Sequence, residues 1–465
     1  MTDAPGRAVL ATSNGTGMGH LARQAAIALA LNASLEPIVF SLSQAVHVVD
    51  RHGLRAEYCP SHHRNWMPHP TWHEYLRQRL NALLAETQAT VFVFDGVAPY
   101  LGLLRARSDH PDVAFVWVRR GMWRPGANLR ALAARPFFDA VIEPGDLASA
   151  ADRGATAKFT DATRVAPISV LEGQPLLPRA EAAAALGLDP DRPTALITLG
   201  AGAINDTETP ALAAIQAFLS TDDWQVAVIR APLSRAGLDA AEAARVHELV
   251  DVYPLARYLS AFDAAVSAAG YNAVHELLPA GIPTVLVPNA ATATDDQLGR
   301  ARHLADLGLA LCADEDLPES VAAAVRRLLH PTVRAALAEA CGDLPRPTGA
   351  SEAAELVGGL HTGFAAHRPS LNERFRVVDL AARAAAMRTL GPAGTTLVRR
   401  TLGRLPVAGP SKPLVVRPVV TDRLASEVLR GDRPVEHLLP GSSPAYRTRR
   451  LAIAHDVYRW PPHDH

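Results

Sequence analysis

Ser267-Ala-Ala-Gly270-Tyr-Asn272-Ala-Val-His275-Glu276-Leu-Leu-Pro279-Ala-Gly281-Ile-Pro283-Thr-Val-Leu-Val-Pro288, followed by Asp295-Asp296-Gln297, reads as a strand, a glycine turn, a short helix, a second strand and a polar loop. The run into it, Ala264-Ala265-Val266, is apolar without alternation, as in a strand covered on both faces. Gly270 lets the main chain turn sharply and pass close to a ligand. A helix opening near Asn272 directs free N–H groups and its positive dipole end at whatever precedes it, which favours phosphate. Glu276 follows one turn later, where a carboxylate can accept from two neighbouring sugar hydroxyls. Pro279 withdraws a backbone donor and keeps the helix short. Val285–Val287 is the next buried strand, stopped by Pro288. The polar residues fall at the carboxyl ends of the strands, where open α/β sheets bind ligands. The pieces fit a pocket for a nucleoside diphosphate; the plainer alternative is an ordinary strand–helix–strand unit with a solvated glutamate.

Working outward, short apolar runs alternate with amphipathic stretches along most of the chain. Arg7–Thr12, Pro37–Ser41, Thr90–Phe94, Ala114–Val118 and Ala140–Ile142 read as one set of strands. Thr194–Leu199, Gln225–Ile229, Val250–Val252, Ala264–Val266, Thr284–Val287 and Leu309–Cys312 read as a second. Strands alternating with helical patterns give parallel α/β sheets. The expected architecture is α/β: two Rossmann-like domains, residues 1–168 and 169–362, joined by the proline-spotted Val165–Pro178 span and facing across a cleft. A basic, partly helical extension, residues 363–465, is expected to pack back on the first domain, with Leu371–Leu390 as its arginine-rich helix. From His367 onward it carries 17 Arg and Lys against 8 Asp and Glu. Its arginines suit either a surface covering the first domain or contact with an anionic acceptor, a membrane surface or a protein partner.

A second glycine-rich element opens the chain. Ser13-Asn14-Gly15-Thr16-Gly17-Met18-Gly19-His20 joins the first strand to the first helix. Such a loop usually meets a ligand. Its spacing is GxGxG rather than GxGxxG, and the second strand ends in Phe40-Ser41-Leu42-Ser43 with no acid to hold a ribose. Both features argue against a nicotinamide enzyme.

From Leu255 to Leu311 the chain resembles the donor-binding half of the family 28 (MurG-like) glycosyltransferases of the GT-B fold. The shared pattern is Gly270-Tyr-Asn, Glu276 one turn on, Gly281-Ile-Pro283, a strand ending in Pro288, and Asp296 before Gln297. The Gly17-Met-Gly19-His20 loop is similar to the family's other signature. The sequence departs from the pattern at Ala268 and Ala269, where relatives often carry Arg, Ser or Gly. The resemblance implies a hexosyltransferase that moves a sugar such as GlcNAc from UDP to an acceptor hydroxyl, inverting the anomeric centre with no cofactor and no metal held by the protein. It implies that Glu276 binds the ribose, and that Asp296 and Gln297 contact the donor sugar. Gly17, Gly19, Gly200, Gly202, Gly270 and Asn272 would surround the donor diphosphate.

Imidazole suits removal of the acceptor proton because it titrates near neutrality. His20 is therefore the candidate general base; its alternative is a capping or substrate-orienting role. Asp95 ends a strand and would bind an acceptor hydroxyl or cap a helix. Arg119 and Arg120 follow another strand and could meet an anionic acceptor, and Trp66 could line its side of the cleft. His62, His63, His69 and His73 cluster after Cys59, but Pro68 and Pro70 break metal-ligand spacing. Asp189-Pro-Asp191 and Asp314-Glu-Asp316 read as polar turns rather than metal motifs.

Composition narrows the rest. The 465 residues suffice for two or three domains, and the formal charge of −1 gives no global case for nucleic acid. Lys158 and Lys412 are the only lysines and neither follows a glycine-rich loop, which excludes a P-loop. Cys59, Cys312 and Cys341 are unpaired in spacing, Val9-Leu10-Ala11 runs straight into the glycine loop without a signal-peptide pattern, and no membrane-length apolar run occurs. A cytoplasmic, bacterial protein is expected. Two other readings stay open: a sugar-nucleotide epimerase on the same scaffold, and a non-catalytic scaffold or regulator that binds through its basic tail.

Overall fold

The computed structural model describes residues 5–13, 18–61, 69–200, 206–229, 244–250 and 252–379. β1 (Gly6–Thr12), β2 (Leu35–Ser41), β3 (Arg55–Tyr58), β4 (Val91–Asp95), β5 (Ala114–Val118), β6 (Ala140–Pro144) and β7 (Thr163–Val165) form one parallel sheet, in the order β3-β2-β1-β4-β5-β6-β7. β8 (Thr194–Thr198), β9 (Gln225–Ile229), β10 (Val246–Leu249), β11 (Ala264–Ala268), β12 (Thr284–Val287) and β13 (Leu311–Cys312) form a second, in the order β10-β9-β8-β11-β12-β13. The fold is the expected pair of parallel α/β domains.

The strands are apolar throughout because both faces of each sheet are covered. Side chains alternate sides along a strand. Ala8 and Leu10 of β1 enter one core while Val9 and Ala11 enter the other. Val266 and Ala265 of β11 divide the same way in the second domain. Two strands escaped the sequence reading. β3 and β7 are Arg-Ala-Glu-Tyr and Thr-Arg-Val, polar segments held at sheet edges by parallel pairing with β2 and β6. The strand expected at Val250–Val252 lies earlier: Val246 pairs with Val226 and Leu249 with Ile229, leaving Val250 exposed beyond the edge.

The chain returns to the first domain sooner than residue 363. The helix Gly349–Gly363 packs on the helix Gly19–Ala30 and on β4, β5 and β7, burying Ala350, Ala353 and Val357. His367 then sits between Asp139 at 2.6 Å and the buried Glu373 at 2.7 Å. Residues 371–379 are helical, and Val377 packs against the first domain's core. The remainder of the expected extension and of the Leu371–Leu390 helix lies outside the described residues.

Docking of that return helix leaves no room at its first residue. A Cβ on Gly349 would collide with the Ala166 carbonyl, whereas one on Gly358 of the same helix meets nothing. Gly349→Ala should therefore destabilise by roughly 1–3 kcal/mol through overpacking. Gly358→Ala should be neutral or gain up to about 1 kcal/mol from helix propensity. Thermal melts of the two variants check the contrast.

Candidate functional site

In a doubly wound sheet the crossovers leave opposite faces where the strand order reverses, and a crevice opens at the carboxyl ends of those strands. The reversal falls between β1 and β4 in the first sheet and between β8 and β11 in the second. Asp95 is the last residue of β4, and His20, Gly200 and Gly270 follow the ends of β1, β8 and β11. The two crevices enclose one cavity of about 450 Å³, lined by His20 and Arg120 from the first domain and Gly200, Tyr253, Glu276 and Gln297 from the second. Small-molecule sites typically measure ~300–1,000 Å³.

On the first-domain wall, His20 Nδ1 lies 2.6 Å from Asp95 Oδ1. Arg23 grips the same carboxylate, Nε on Oδ2 at 2.9 Å and Nη2 on Oδ1 at 2.8 Å. Burial opposes ionisation of Asp95, but Arg23 and His20 outweigh it and hold the pKa at about 2. An ionised carboxylate only accepts, so Nδ1 of His20 carries the proton and Nε2 keeps a free lone pair. Burial, with the charges of Arg23 and Arg120, lowers the pKa of His20 against the opposing pull of Asp95. The ring is thus a neutral, oriented base on the cavity wall. Asp95 caps no helix, contrary to one reading of the sequence, because its two oxygens are engaged by the ring and the guanidinium.

On the opposite wall, Glu276 is half-buried, and burial pushes its pKa up to about 8. Gln297 accepts from the Asn289 N–H at 3.0 Å, which orients its amide. Gly200 adopts φ +94, a conformation natural only to glycine. Gly270 does not: its φ is −70, so the turn needs no glycine, and an added Cβ would meet open space. The absence of a side chain leaves that face of the cavity free. Tyr253, also on this wall, has a buried hydroxyl with no hydrogen-bond partner.

Several expected contacts are redirected. The Asn272 amide bridges the domains, accepting from Arg23 at 3.2 Å and donating to the Gly19 carbonyl at 3.3 Å. Asp296 does not line the cavity: it caps the next helix through the Gly299 N–H at 3.0 Å, and its neighbour Asp295 faces inward instead. Adjacent residues at a helix start point different ways, so a one-residue offset exchanges the roles. Arg119 also misses the cleft, being buried against Glu143 and Asp161. Gly17, Gly202 and Trp66, with His62 and His63, lie outside the described residues. Among the described residues no three His, Cys, Asp or Glu side chains gather to hold a metal. No described helix is long and apolar enough to cross a membrane.

A buried seam, unforeseen from the sequence, fixes the two walls. Arg300 of the second domain reaches Asp146 of the first at 3.0 Å, Asp295 at 2.9 Å and the Ala269 carbonyl at 2.8 Å. Tyr271 Oη accepts from the Ile168 N–H and donates to the Gly145 carbonyl. His275 donates Nδ1–H to the Tyr271 carbonyl, so its Nε2 accepts from the Leu147 N–H at 3.0 Å. Trp123 and Asp295 form an antiparallel bridge, flanked by Asp296 N–H on Met122 O and Arg124 N–H on Thr294 O.

Comparison with known proteins bears on the second domain and on the fold. Residues 235–348 match the glycosyltransferase family 28 C-terminal domain. The second domain is of the family 28, MurG-like type. Over 160 residues the chain is 32% identical to the UDP-N-acetylglucosamine–N-acetylmuramyl-(pentapeptide) pyrophosphoryl-undecaprenol N-acetylglucosamine transferase of Leuconostoc citreum, a stretch covering 31% of this chain and 41% of that protein. The chain thus spans less than half the length of that relative. A spinosyn forosaminyltransferase superposes with a TM-score of 0.55 at 16% identity, covering 76% of this chain and 99% of that one. The MurG of Acinetobacter baumannii gives 0.50 at 16% identity, with 76% and 99% covered. A Listeria monocytogenes protein described as a putative UDP-N-acetylglucosamine 2-epimerase also gives 0.50, at 13% identity, with 76% and 95% covered. At these identities the likeness is one of fold, and the fold is GT-B.

Removing the shared cation tests the seam. Arg300→Met leaves Asp146 and Asp295 facing each other's domain without it, which costs about 3–5 kcal/mol where a buried pair is broken. Burial opposes ionisation of Asp295, but Arg300 and Arg120 hold its pKa at about 2. An aspartate in the unfolded chain titrates at about 3.9, so this group's contribution is complete above about pH 4 and is lost as the pH falls toward 2. Melts from pH 7 to 3 should show a large deficit in the variant at neutral pH that narrows with acid.

Proposed function

We propose that the protein is a glycosyltransferase that moves a hexosyl group, GlcNAc first among candidates, from a UDP-sugar to an acceptor hydroxyl, with inversion and without a metal held by the chain. The observation that carries the reading is the shared cavity: an oriented neutral imidazole on one wall and the Glu276 carboxyl on the other, in a chain whose second domain is of the family 28 type. The relative from Leuconostoc citreum, by its name, transfers the same sugar from UDP.

Glu276 accepts from the ribose hydroxyls, with Gln297 turned to the donor sugar. The main chain at Gly200 and at Gly270–Asn272 lies against the diphosphate. The acceptor oxygen attacks the anomeric carbon as the bond to the diphosphate oxygen breaks, and the acceptor proton passes to His20 Nε2. Asp95 balances the imidazolium that results, while Arg23 holds Asp95 still. The nucleoside diphosphate leaves with the bonding electrons, stabilised by donors already in place.

A screen of UDP-, dTDP- and GDP-sugars for thermal stabilisation identifies the donor, since a ligand bound only by the folded state raises its melting temperature. No stabilisation by any of them would end the transferase reading, and conversion of a UDP-sugar to its epimer without acceptor would replace it with an epimerase. His20→Ala should retain UDP affinity and lose turnover by roughly 10²–10⁴-fold; unchanged turnover removes His20 from the chemistry.

Binding should also depend on pH through Glu276. Hydroxyl donors favour its carboxylate, while burial favours the protonated acid up to about pH 8. Below that pH, donor binding must release a proton. UDP-GlcNAc affinity should therefore climb from pH 6 to 8, by at most about tenfold per unit, and level off above. Titration calorimetry in two buffers of different ionisation enthalpy measures the proton directly. Glu276→Gln should bind more weakly and without this dependence.

A further inference from the structure

Arg120 is the cavity's least-satisfied cation among the described residues. Arg23 is engaged with Asp95 and Asn272, and Arg300 with Asp146, Asp295 and the Ala269 carbonyl. Arg120 has one polar contact, Nη1 to Asp295 Oδ1 at 3.5 Å, beyond a good charge-assisted hydrogen bond. Its Nε is buried without a partner, and Nη2 makes no hydrogen bond. A guanidinium has five N–H donors, so most of the fork is unused.

Its surroundings say which side of the reaction it serves. Arg120 follows β5 of the first domain, yet the groups it touches belong to the second: the Tyr271 ring, whose centroid is 5.5 Å away, and Asp295. Tyr271 comes directly after Gly270, the turn with open space on the cavity side. Asp295 keeps its 2.9 Å bond to Arg300 if Arg120 turns away, so the guanidinium can change partner without leaving a carboxylate bare. Burial, reinforced by Arg23 and Arg300, depresses its pKa, as expected where anionic charge would be welcome.

We propose that Arg120 binds the diphosphate of the donor and steadies it as a leaving group, so that the first domain supplies a cation to the second domain's ligand. This assigns Arg120 to the donor rather than to an anionic acceptor, and it rests on the nucleotide-sugar reading above. A fork over the Gly270 turn meets phosphate oxygens in the plane that two parallel N–H donors require. The charge growing on the leaving oxygen then falls on a donor already in place.

The test compares a nucleoside diphosphate with its nucleoside, using UDP and uridine or dTDP and thymidine, whichever diphosphate the wild type binds more tightly. Affinities are measured by calorimetry at pH 8 for the wild type, Arg120→Gln and Arg120→Lys. Arg120→Gln should weaken the diphosphate by roughly 10–100-fold and leave the nucleoside within about twofold. Arg120→Lys, which keeps the charge and loses the fork, should fall between. If Arg120→Gln does not fold, the lysine variant decides by the ratio of the two affinities. An unchanged ratio in the folded variants overturns the proposal, as does a parallel loss of both ligands. A wild type that binds diphosphate no more tightly than nucleoside overturns it too, while leaving the nucleoside site standing. A wild type that binds neither removes the donor reading itself.

Discussion

The geometry of the cleft depends on one buried guanidinium. Two Rossmann-like domains joined by a connector have no intrinsic reason to hold a fixed angle, since interdomain interfaces are commonly modest and polar. Arg300 supplies the reason. Its three partners come from both domains, and it lies in an interior where an unpaired charge is expensive. Any opening that draws Asp146 away strands a carboxylate on one side and part of a cation on the other. The arrangement found here therefore fixes which first-domain groups look at the second domain's crevice. The Trp123–Asp295 bridge adds backbone hydrogen bonds to the loop that leads into Gln297, so the Gln297 side of the cavity is tied to the seam as well.

The same logic, a buried carboxylate held ionised by a guanidinium, recurs beside His20. Asp95 remains charged in a buried position because Arg23 meets it on two atoms. That charge fixes the tautomer of His20, and burial keeps the ring neutral. A neutral ring with its proton committed to Asp95 can only accept on its other nitrogen. Arg23 also contacts Asn272 at the opening of the second domain's helix, so His20 and the Gly270 turn share one chain of hydrogen bonds.

The fold was legible because buried parallel strands leave long apolar runs, and because the two glycine-containing turns fall where strand order reverses. β3 and β7 were not, since an edge strand needs pairing partners more than hydrophobicity. His20, Glu276 and Gln297 were legible as motif positions. The side chains that position His20 and hold the seam were not: Arg23 and Arg300 work through distances set by tertiary packing, and Asp95, though singled out at its strand end, gave no sign of which side chain would reach it. Asp296 was misplaced by one position because a helix N-cap and a cavity-facing acid look alike when adjacent. Arg119 and Arg120 show the same limit, as neighbours that directly follow β5 turn to different environments.

The sequence's clearest departure from the family pattern then has a physical account. Ala268 and Ala269 stand where the expected pattern has Arg, Ser or Gly. Ala269 is fully buried, and its carbonyl receives Arg300, so a bulky side chain there would compete with the seam. Without it, the turn Ala268-Ala269-Gly270 presents no cationic side chain to the cavity. A diphosphate bound there, as proposed above, would bring two negative charges for which the turn itself has no cation. The missing cation can come from across the cleft, where Arg120 lies over the Tyr271 ring. On the reading proposed above, placing it in the other domain makes stabilisation of the leaving group conditional on the interdomain register that Arg300 maintains. Packing at the seam and charge at the donor are then two consequences of one arrangement.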